Sequence, residues 1–169
     1  VTTEPQSQVV TNGVKVLFSV AASGTAPIRY QWQFNGNDIG GATNSSLTLT
    51  NVQFAAAGNY RVRLTNNVGS ALSAVATLTV RVPPTISDIT DRQTDEDIVS
   101  PFISFTVGDA DSGAAVLQVC ASSSNASLVP TNRISFGGAG GSRTVQISPA
   151  TNQSGTVTIT VQVRDPDGL

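Results

Sequence analysis

The chain has no histidine, no methionine and a single cysteine, Cys120. Without histidine, Ser-His-Asp and Cys-His catalysis and zinc sites built on histidine are excluded. A single cysteine forms no intramolecular disulfide. Cys120 lies in an apolar strand pattern and is expected to be a small buried core residue, with a reactive thiol or an intermolecular link as the alternative. The missing initiator methionine and signal peptide indicate a processed chain or an excised fragment.

Charge is also sparse, since charged residues make up 12% of the sequence. No apolar run is long enough to span a membrane, and no long stretch has helical periodicity. Residues 1–82 carry five basic and two acidic side chains, whereas residues 83–169 carry four basic and nine acidic ones. Neither half has a basic cluster interleaved with aromatics, so nucleic acid is not an expected partner. The acidic half suggests a hard cation as a ligand.

What the sequence does contain is a series of short alternating segments separated by turn residues. Hydrophobic residues make up 39% of the chain, which is enough for real cores. The stretch Val82-Pro83-Pro84-Thr85 interrupts the pattern, because two prolines stiffen the chain and remove two backbone donors. We therefore predict an all-β chain of two tandem Greek-key β-sandwiches, with domains at residues 1–82 and 83–169.

The first half has the clearest strand signals. The tight-turn dipeptide Asn35-Gly36 follows one of its predicted strands directly. Its predicted inward-facing residues are Val14, Val16, Phe18, Val20; Ile28, Tyr30, Trp32, Phe34; Leu47, Leu49; Tyr60, Val62, Leu64; and Ala74, Ala76, Leu78, Val80. Phe54 is the one candidate for an outward-facing aromatic on which a carbohydrate could stack, although we expect its side chain to close the bottom of the core.

The segments "YQWQFNG", "SSLTLTNVQFAAAGNYRVRLTN" and "GSALSAVATLTV" resemble an immunoglobulin-like domain of the I-set kind found in bacterial surface proteins. The resemblance implies that Val20 and Val62 occupy the positions of the family's two cysteines. It also implies a structural core of Val20, Trp32, Tyr60 and Val62, with Trp32 packed on the two valines. Tyr60 is expected to make a corner hydrogen bond, although Ala56 stands where the family has an acidic residue.

The second half alternates in the same way. Its predicted inward residues are Ile103, Phe105, Val107; Leu117, Val119, Ala121; Val145, Ile147; and Val157, Ile159, Val161, Val163. The segments "TDEDIV", "ISFTVGDADSG", "SSNASLVP" and "NQSGTVTITVQVRDPDG" resemble the cadherin-like repeats of large bacterial surface and adhesion proteins.

Two acidic loops of this half follow predicted strands that run in the same direction. Asp109 and Asp111 follow one strand, and Asp165 and Asp167 follow the other. The four carboxylates are expected to converge near the junction of the two domains and to bind Ca²⁺, as similar Asp-x-Asp segments do in cadherins. The alternative is that Asp-Gly and Asp-Pro are simply good turn formers. The acidic segment 95–97 is expected nearer the far end.

The cadherin-like resemblance also implies one more strand after the last predicted strand and its turn. This sequence stops at Leu169, before such a strand. One interpretation is a fragment of a longer repeat protein. The other is strand donation, in which Val1–Val10 of another copy inserts beside the last strand and builds a fibre.

These features favour a non-enzymatic structural or adhesive segment of a secreted or cell-surface bacterial protein, acting as a rigid spacer, stalk or fibre unit. Its partners would be neighbouring domains or copies of itself. The alternative is a glycan- or protein-binding accessory module of a secreted enzyme, which predicts an exposed aromatic pair or a groove. A carboxylate-pair hydrolase using Asp109 and Asp165 is disfavoured, because loop-end aspartates on a small sandwich without a cleft make a poor site.

Overall fold

The computed structural model describes every residue from Val1 to Leu169 and contains two compact units, Val1–Val82 and Pro83–Leu169. Apart from strands and turns it has only two short 3-10 turns, Phe54–Ala56 and Thr131–Arg133. It has no helix of the length and apolar character needed to cross a membrane. The predicted all-β architecture is confirmed.

The first unit contains eight strands in two sheets. They are β1 Gln8–Thr11, β2 Val16–Ser19, β3 Arg29–Phe34, β4 Asn37–Asp38, β5 Ser46–Leu49, β6 Gly58–Thr65, β7 Ser70–Leu72 and β8 Ala76–Arg81. The larger sheet has the order β1-β8-β6-β3-β4 with β7 beside β6, and the smaller one pairs β2 with β5. Alternate residues of both sheets enter one buried cluster, as expected for a sandwich.

The turn at Asn35-Gly36 fixes the end of β3. Asn35 has φ 47° and Gly36 has φ 87°, the positive values that a two-residue hairpin turn requires. Phe34 consequently pairs with Asn37. Because the register is set here, Tyr30, Trp32 and Phe34 point to the core side of the sheet.

The N-terminal segment is already paired within its own unit. Strand β1 runs parallel to β8, with Gln8 opposite Leu78 and Thr11 opposite Arg81, and Thr3 forms a bridge with Ala21. The donation of Val1–Val10 to another copy therefore stays a prediction. Donation would first break the backbone hydrogen bonds that hold the segment in place.

The second unit contains six strands, also in two sheets. They are β9 Thr85–Ile86, β10 Ile103–Gly108, β11 Gln118–Ser123, β12 Ile134–Ala139, β13 Ser142–Ile147 and β14 Ile159–Arg164. One sheet has the order β12-β13-β10-β9, and the other pairs β11 with β14 alone. The cluster of buried residues between the strands consists of Ile103, Phe105, Val107, Leu117 and Val145, and Leu128 and Val129 are buried as well.

Four sequence expectations fail for reasons of strand parity and local geometry, among them Ala74, which is exposed because β8 begins only at Ala76. Cys120 is exposed rather than buried, because Val119 and Ala121 face inward and the residue between them must face outward. Val14 is exposed because β2 begins only at Val16. Phe54 lies in a single 3-10 turn outside the core and is 44% exposed.

Candidate functional site

The core of the first unit is organised around Trp32, which is fully buried. Trp32 lies directly opposite Val62 on the neighbouring strand of the same sheet, and Val20 belongs to the same buried cluster. From the facing sheet, Phe18 places its ring centroid 6.2 Å from that of Trp32. The indole N–H donates to the carbonyl oxygen of Asn44 over 2.9 Å, so its one polar atom is satisfied.

Tyr60 completes this core and joins it to a turn. Its ring stacks on Phe18 at a centroid distance of 4.9 Å, and its hydroxyl donates to the carbonyl oxygen of Ala56 over 2.8 Å. This is the expected corner hydrogen bond, and it needs no acidic side chain at position 56. Burial raises the pKa of the Tyr60 phenol above its ordinary value.

The outer face of the larger sheet carries a polar network that sequence reasoning did not single out. Arg61 donates to Gln33 over 2.8 Å, and Gln33 in turn donates to Asp38 over 2.7 Å. Arg63 forms a 2.8 Å ion pair with the second oxygen of Asp38. Residues i and i+2 of a strand share a face, so Arg61 and Arg63 lie on the same face of β6. Their polar contacts with Gln33 and Asp38 could have been predicted once the strand register was known.

The first acidic loop of the second unit holds two carboxyl groups close together. Asp109 Oδ1 accepts hydrogen bonds from the backbone N–H groups of Asp111 at 2.9 Å and Ser112 at 3.1 Å. Burial pushes the pKa of Asp109 upward, but hydrogen bonds from the Asp111 side chain and from the backbone N–H groups of Asp111, Ser112 and Ala110 outweigh it and lower the pKa.

The second acidic loop places a carboxylate in the interior. Asp165 is only 6% exposed, and its Oδ1 atom accepts the backbone N–H of Leu169 over 2.8 Å. Its Oδ2 atom is buried and accepts no hydrogen bond. The same is true of the Oδ2 atom of Asp109. A buried carboxylate oxygen without a donor costs free energy, which makes these two atoms unusual in the unit.

The topology places both loops beside the same short strand. Asp109 follows β10, whose last residue pairs with Thr85 of β9, and β9 also approaches β14, which precedes Asp165. Asp167, by contrast, is exposed. No three acidic side chains of the chain are arranged as a ready-made metal cluster. Calcium binding by Asp109, Asp111, Asp165 and Asp167 therefore stays a prediction.

A cleft of about 390 Å³ in the first unit is lined by residues without an ionisable side chain, among them Thr25, Asn66 and Ser70. The exposed aromatic side chains are Phe54 in the first unit and Phe102, 67% exposed, in the second. Sequence reasoning missed Phe102, which precedes β10 on the outward parity of that strand.

Comparison with known proteins agrees with this architecture. Residues 1–66 match the family model for the immunoglobulin domain. Over these residues the first unit is similar to an immunoglobulin domain. Kin of IRRE-like protein 3 from Homo sapiens is 38% identical over 87 residues, a region that covers 51% of this chain and 11% of that protein.

Solved structures extend the likeness to both units. An I-band fragment of titin aligns with a TM-score of 0.61 at 16% identity, covering 95% of this chain and 62% of that one. An E-to-A variant of the same three-domain region gives 0.59 at 16% identity with the same coverage. At this identity the likeness concerns the fold alone, and it describes the chain as tandem immunoglobulin-like sandwiches. The chain spans about a tenth of the curated relative and less than two thirds of the titin fragments.

Proposed function

We propose that the chain is a non-enzymatic, load-bearing structural or adhesive segment of an extracellular or cell-surface protein. The first unit supports this through the pairing of its terminal strands. Strand β1 at the start of the unit lies parallel to β8 at its end over four paired residues, from Gln8 opposite Leu78 to Thr11 opposite Arg81. Tension applied at residues 1 and 82 would pull these strands in opposite directions along their axes, so all the hydrogen bonds between them would resist together.

The alternation of backbone hydrogen bonds supplies a matched test. The N–H of Asn12 donates to Arg81 over 2.9 Å. In a parallel ladder every second residue of a strand faces the same neighbour, so the N–H of Val10 faces β8 and that of Val9 faces away. Proline at position 10 therefore removes a donor of the ladder, and proline at position 9 does not.

The experiment is single-molecule stretching of the chain held at its two ends. We expect the unfolding force of the first unit to fall clearly in Val10→Pro and to stay near the wild-type value in Val9→Pro. Circular dichroism before stretching checks that both variants are folded. Equal forces in the wild type and Val10→Pro would show that the β1–β8 ladder does not bear load and would reject the proposal.

The alternative of a glycan-binding accessory module receives less support. Stacking on a sugar needs a pair of outward aromatics, whereas Phe54 and Phe102 are single exposed aromatics in different units. A bacterial source, a secreted context and a cadherin-like identity of the second unit stay part of the proposal. They rest on the sequence resemblances described above.

We further propose that the acidic loops of the second unit bind Ca²⁺. The chemistry of the site fits a hard cation, because it offers carboxylate oxygens, of which Asp109 Oδ2 and Asp165 Oδ2 are buried and lack a donor. Asp109, Asp111 and Asp165 would hold the ion, and Asp167 would join from the surface.

Thermal unfolding in calcium and in chelator tests this second proposal. Millimolar Ca²⁺ is expected to raise the melting temperature of the wild type, and Asp109→Asn and Asp165→Asn are expected to abolish that rise. Asp91→Asn, an exposed acidic position without a hydrogen bond, should keep it. A wild-type melting temperature that does not respond to calcium would leave the aspartates as turn formers.

A further inference from the structure

The second unit holds a short apolar segment, residues 98–102, on its surface. Its exposed members are Ile98, Val99, Pro101 and Phe102. Ser100 between them is buried and fixed to β13, because its N–H donates to the carbonyl oxygen of Ile147 over 2.8 Å and its Oγ accepts the N–H of Ile147 over 2.9 Å. These bonds hold the neighbouring apolar side chains in solvent. Exposed apolar residues that lie together are typical of a surface that binds a partner.

Three acidic residues directly precede this apolar segment. Asp95, Glu96 and Asp97 are all exposed, and no basic residue lies between them and Phe102. The backbone is fixed at this end too, since Asp97 Oδ1 accepts the N–H of Asn152 over 2.9 Å. Residues 95–102, which we call the acidic segment, therefore offer a net charge of −3 beside an apolar surface. A surface that covers it must supply positive charge next to apolar side chains.

The outer face of the larger sheet in the first unit carries such a charge. Four of the five basic residues of this unit lie at outward positions of that sheet, namely Arg29, Arg61, Arg63 and Arg81. The only acidic residue on these strands is Asp38, opposite Gln33. Four positive charges and one negative charge give this surface, the arginine face, a net charge of +3.

Apolar side chains lie beside two of these arginines. Leu72 is directly opposite Arg63 on the neighbouring strand, so the two side chains share the outer face. Val75 and Arg61 line a depression of about 280 Å³. Leu72 and Val75 are each about half exposed. Both arginines are already held by the polar network described above, so they lose less side-chain freedom when a partner binds.

We infer that the acidic segment of one copy of the chain binds the arginine face of a second copy. The two surfaces match in charge, −3 against +3, and both place apolar side chains beside the charged ones. The units as a whole are complementary as well, because residues 1–82 carry a net charge of +3 and residues 83–169 a net charge of −5. The contact joins two different surfaces, so association continues beyond a dimer unless a ring closes.

Replacement of Phe102 tests the apolar part of this contact. Phe102→Ser is expected to raise the dissociation constant of self-association about tenfold, because exposed aromatic side chains supply much of the binding energy of an interface. Val116→Ser removes another exposed apolar side chain of the same unit, outside the acidic segment, and should leave the constant unchanged. Sedimentation velocity over a concentration series measures association, and circular dichroism checks that each variant is folded.

Mixing two variants tests whether the contact joins two different surfaces. Arg61→Ser with Arg63→Ser disables the arginine face of one chain, and Asp95→Ser with Glu96→Ser disables the acidic segment of the other. Each variant alone should stay monomeric where the wild type associates. An equimolar mixture should form a one-to-one dimer, because one intact surface of each kind remains. A mixture that stays monomeric would overturn the inference.

Salt separates this contact from a purely apolar one. Raising the ionic strength from about 0.05 M to about 0.5 M shortens the reach of the charges and should weaken the association of the wild type. Association that salt leaves unchanged would contradict the charge match. A wild-type chain that stays monomeric at low salt and at its highest soluble concentration would reject the contact, while the load-bearing role of the β1–β8 ladder would still stand, because that ladder lies within one chain.

Discussion

The hydroxyl of Tyr60 donates a 2.8 Å hydrogen bond to the carbonyl oxygen of Ala56, four residues earlier in the chain. Ala56 ends the 3-10 turn and Tyr60 lies in β6, so the bond fixes the angle at which the chain enters the sheet. The same ring packs on Phe18 and on Phe34 at 4.9 Å each. One side chain therefore ties a surface turn to the sandwich core.

Tyr60→Phe should lower the free energy of unfolding by about 1 kcal/mol, because it removes a buried hydrogen bond and keeps the ring packing. Denaturant unfolding followed by circular dichroism measures the change. Tyr30→Phe is the control, since Tyr30 is half-buried and its hydroxyl makes no hydrogen bond within the chain. Equal losses in the two variants would mean that the Ala56 contact contributes nothing.

The raised pKa of Tyr60 adds a pH dependence. A phenol whose pKa is higher in the folded state contributes stability that is complete below the ordinary value of 10.0 and is lost as the pH rises through the folded value. The wild type should therefore lose stability above about pH 10 more steeply than Tyr60→Phe. Parallel curves for the two proteins would show that burial does not perturb this group.

Trp32→Ala should destabilise the first unit by about 3–5 kcal/mol, because it leaves a large cavity at the centre of the core. Phe54→Ala, which removes an exposed ring from the same unit, should cost far less. Denaturant curves by circular dichroism compare the two. In the wild type, fluorescence of the chain's only tryptophan should report unfolding of the first unit alone.

The strands with alternating large side chains could be predicted from the sequence, whereas those with small residues could not. Trp32 and Phe105 mark their strands because large apolar residues recur at every second position. Strand β12 escaped notice, since Gly137, Gly138 and Ala139 hide its alternation. The partner of β1 is equally hidden, because its pairing with β8 joins residues seventy positions apart and no local pattern encodes that distance.

The acidic loops of the candidate site were likewise predictable from the sequence only in part. That Asp109 and Asp165 follow neighbouring strand ends was predictable from strand direction. The burial of Asp165 was not, because it depends on how its loop folds back, with the backbone N–H of Leu169 donating to Asp165 Oδ1. This contact is set by packing within the unit rather than by composition.

Glycine 58 offers a test of close packing at the start of β6. Gly58 has φ 153°, and an added Cβ atom would lie 2.6 Å from the Phe34 ring and 2.8 Å from Asn35 Oδ1. Gly36 also has positive φ, at 87°, but an added Cβ there meets no atom within 4 Å. Gly36→Ala should therefore cost about 1 kcal/mol for the backbone conformation alone.

Gly58→Ala should cost more than Gly36→Ala by about 1–3 kcal/mol, because overlap with a packed ring is added to the backbone term. Thermal and denaturant unfolding of the two variants give the difference directly. If the two alanines cost the same, the Phe34 ring moves aside freely and the packing at this corner is looser than the structure indicates.

Acid unfolding tests the lowered pKa of Asp109. A carboxyl whose pKa is lower in the folded state contributes stability that is complete above its ordinary value of 3.8 and is lost as the pH falls through the folded value. Asp109→Asn keeps the acceptor for the N–H groups of Asp111 and Ser112 but removes the titrating charge. Its stability should therefore fall less steeply below about pH 4 than that of the wild type, while Asp91→Asn should follow the wild-type curve. A wild-type slope in Asp109→Asn would mean that the hydrogen bonds to Asp109 do not lower its pKa in the folded state.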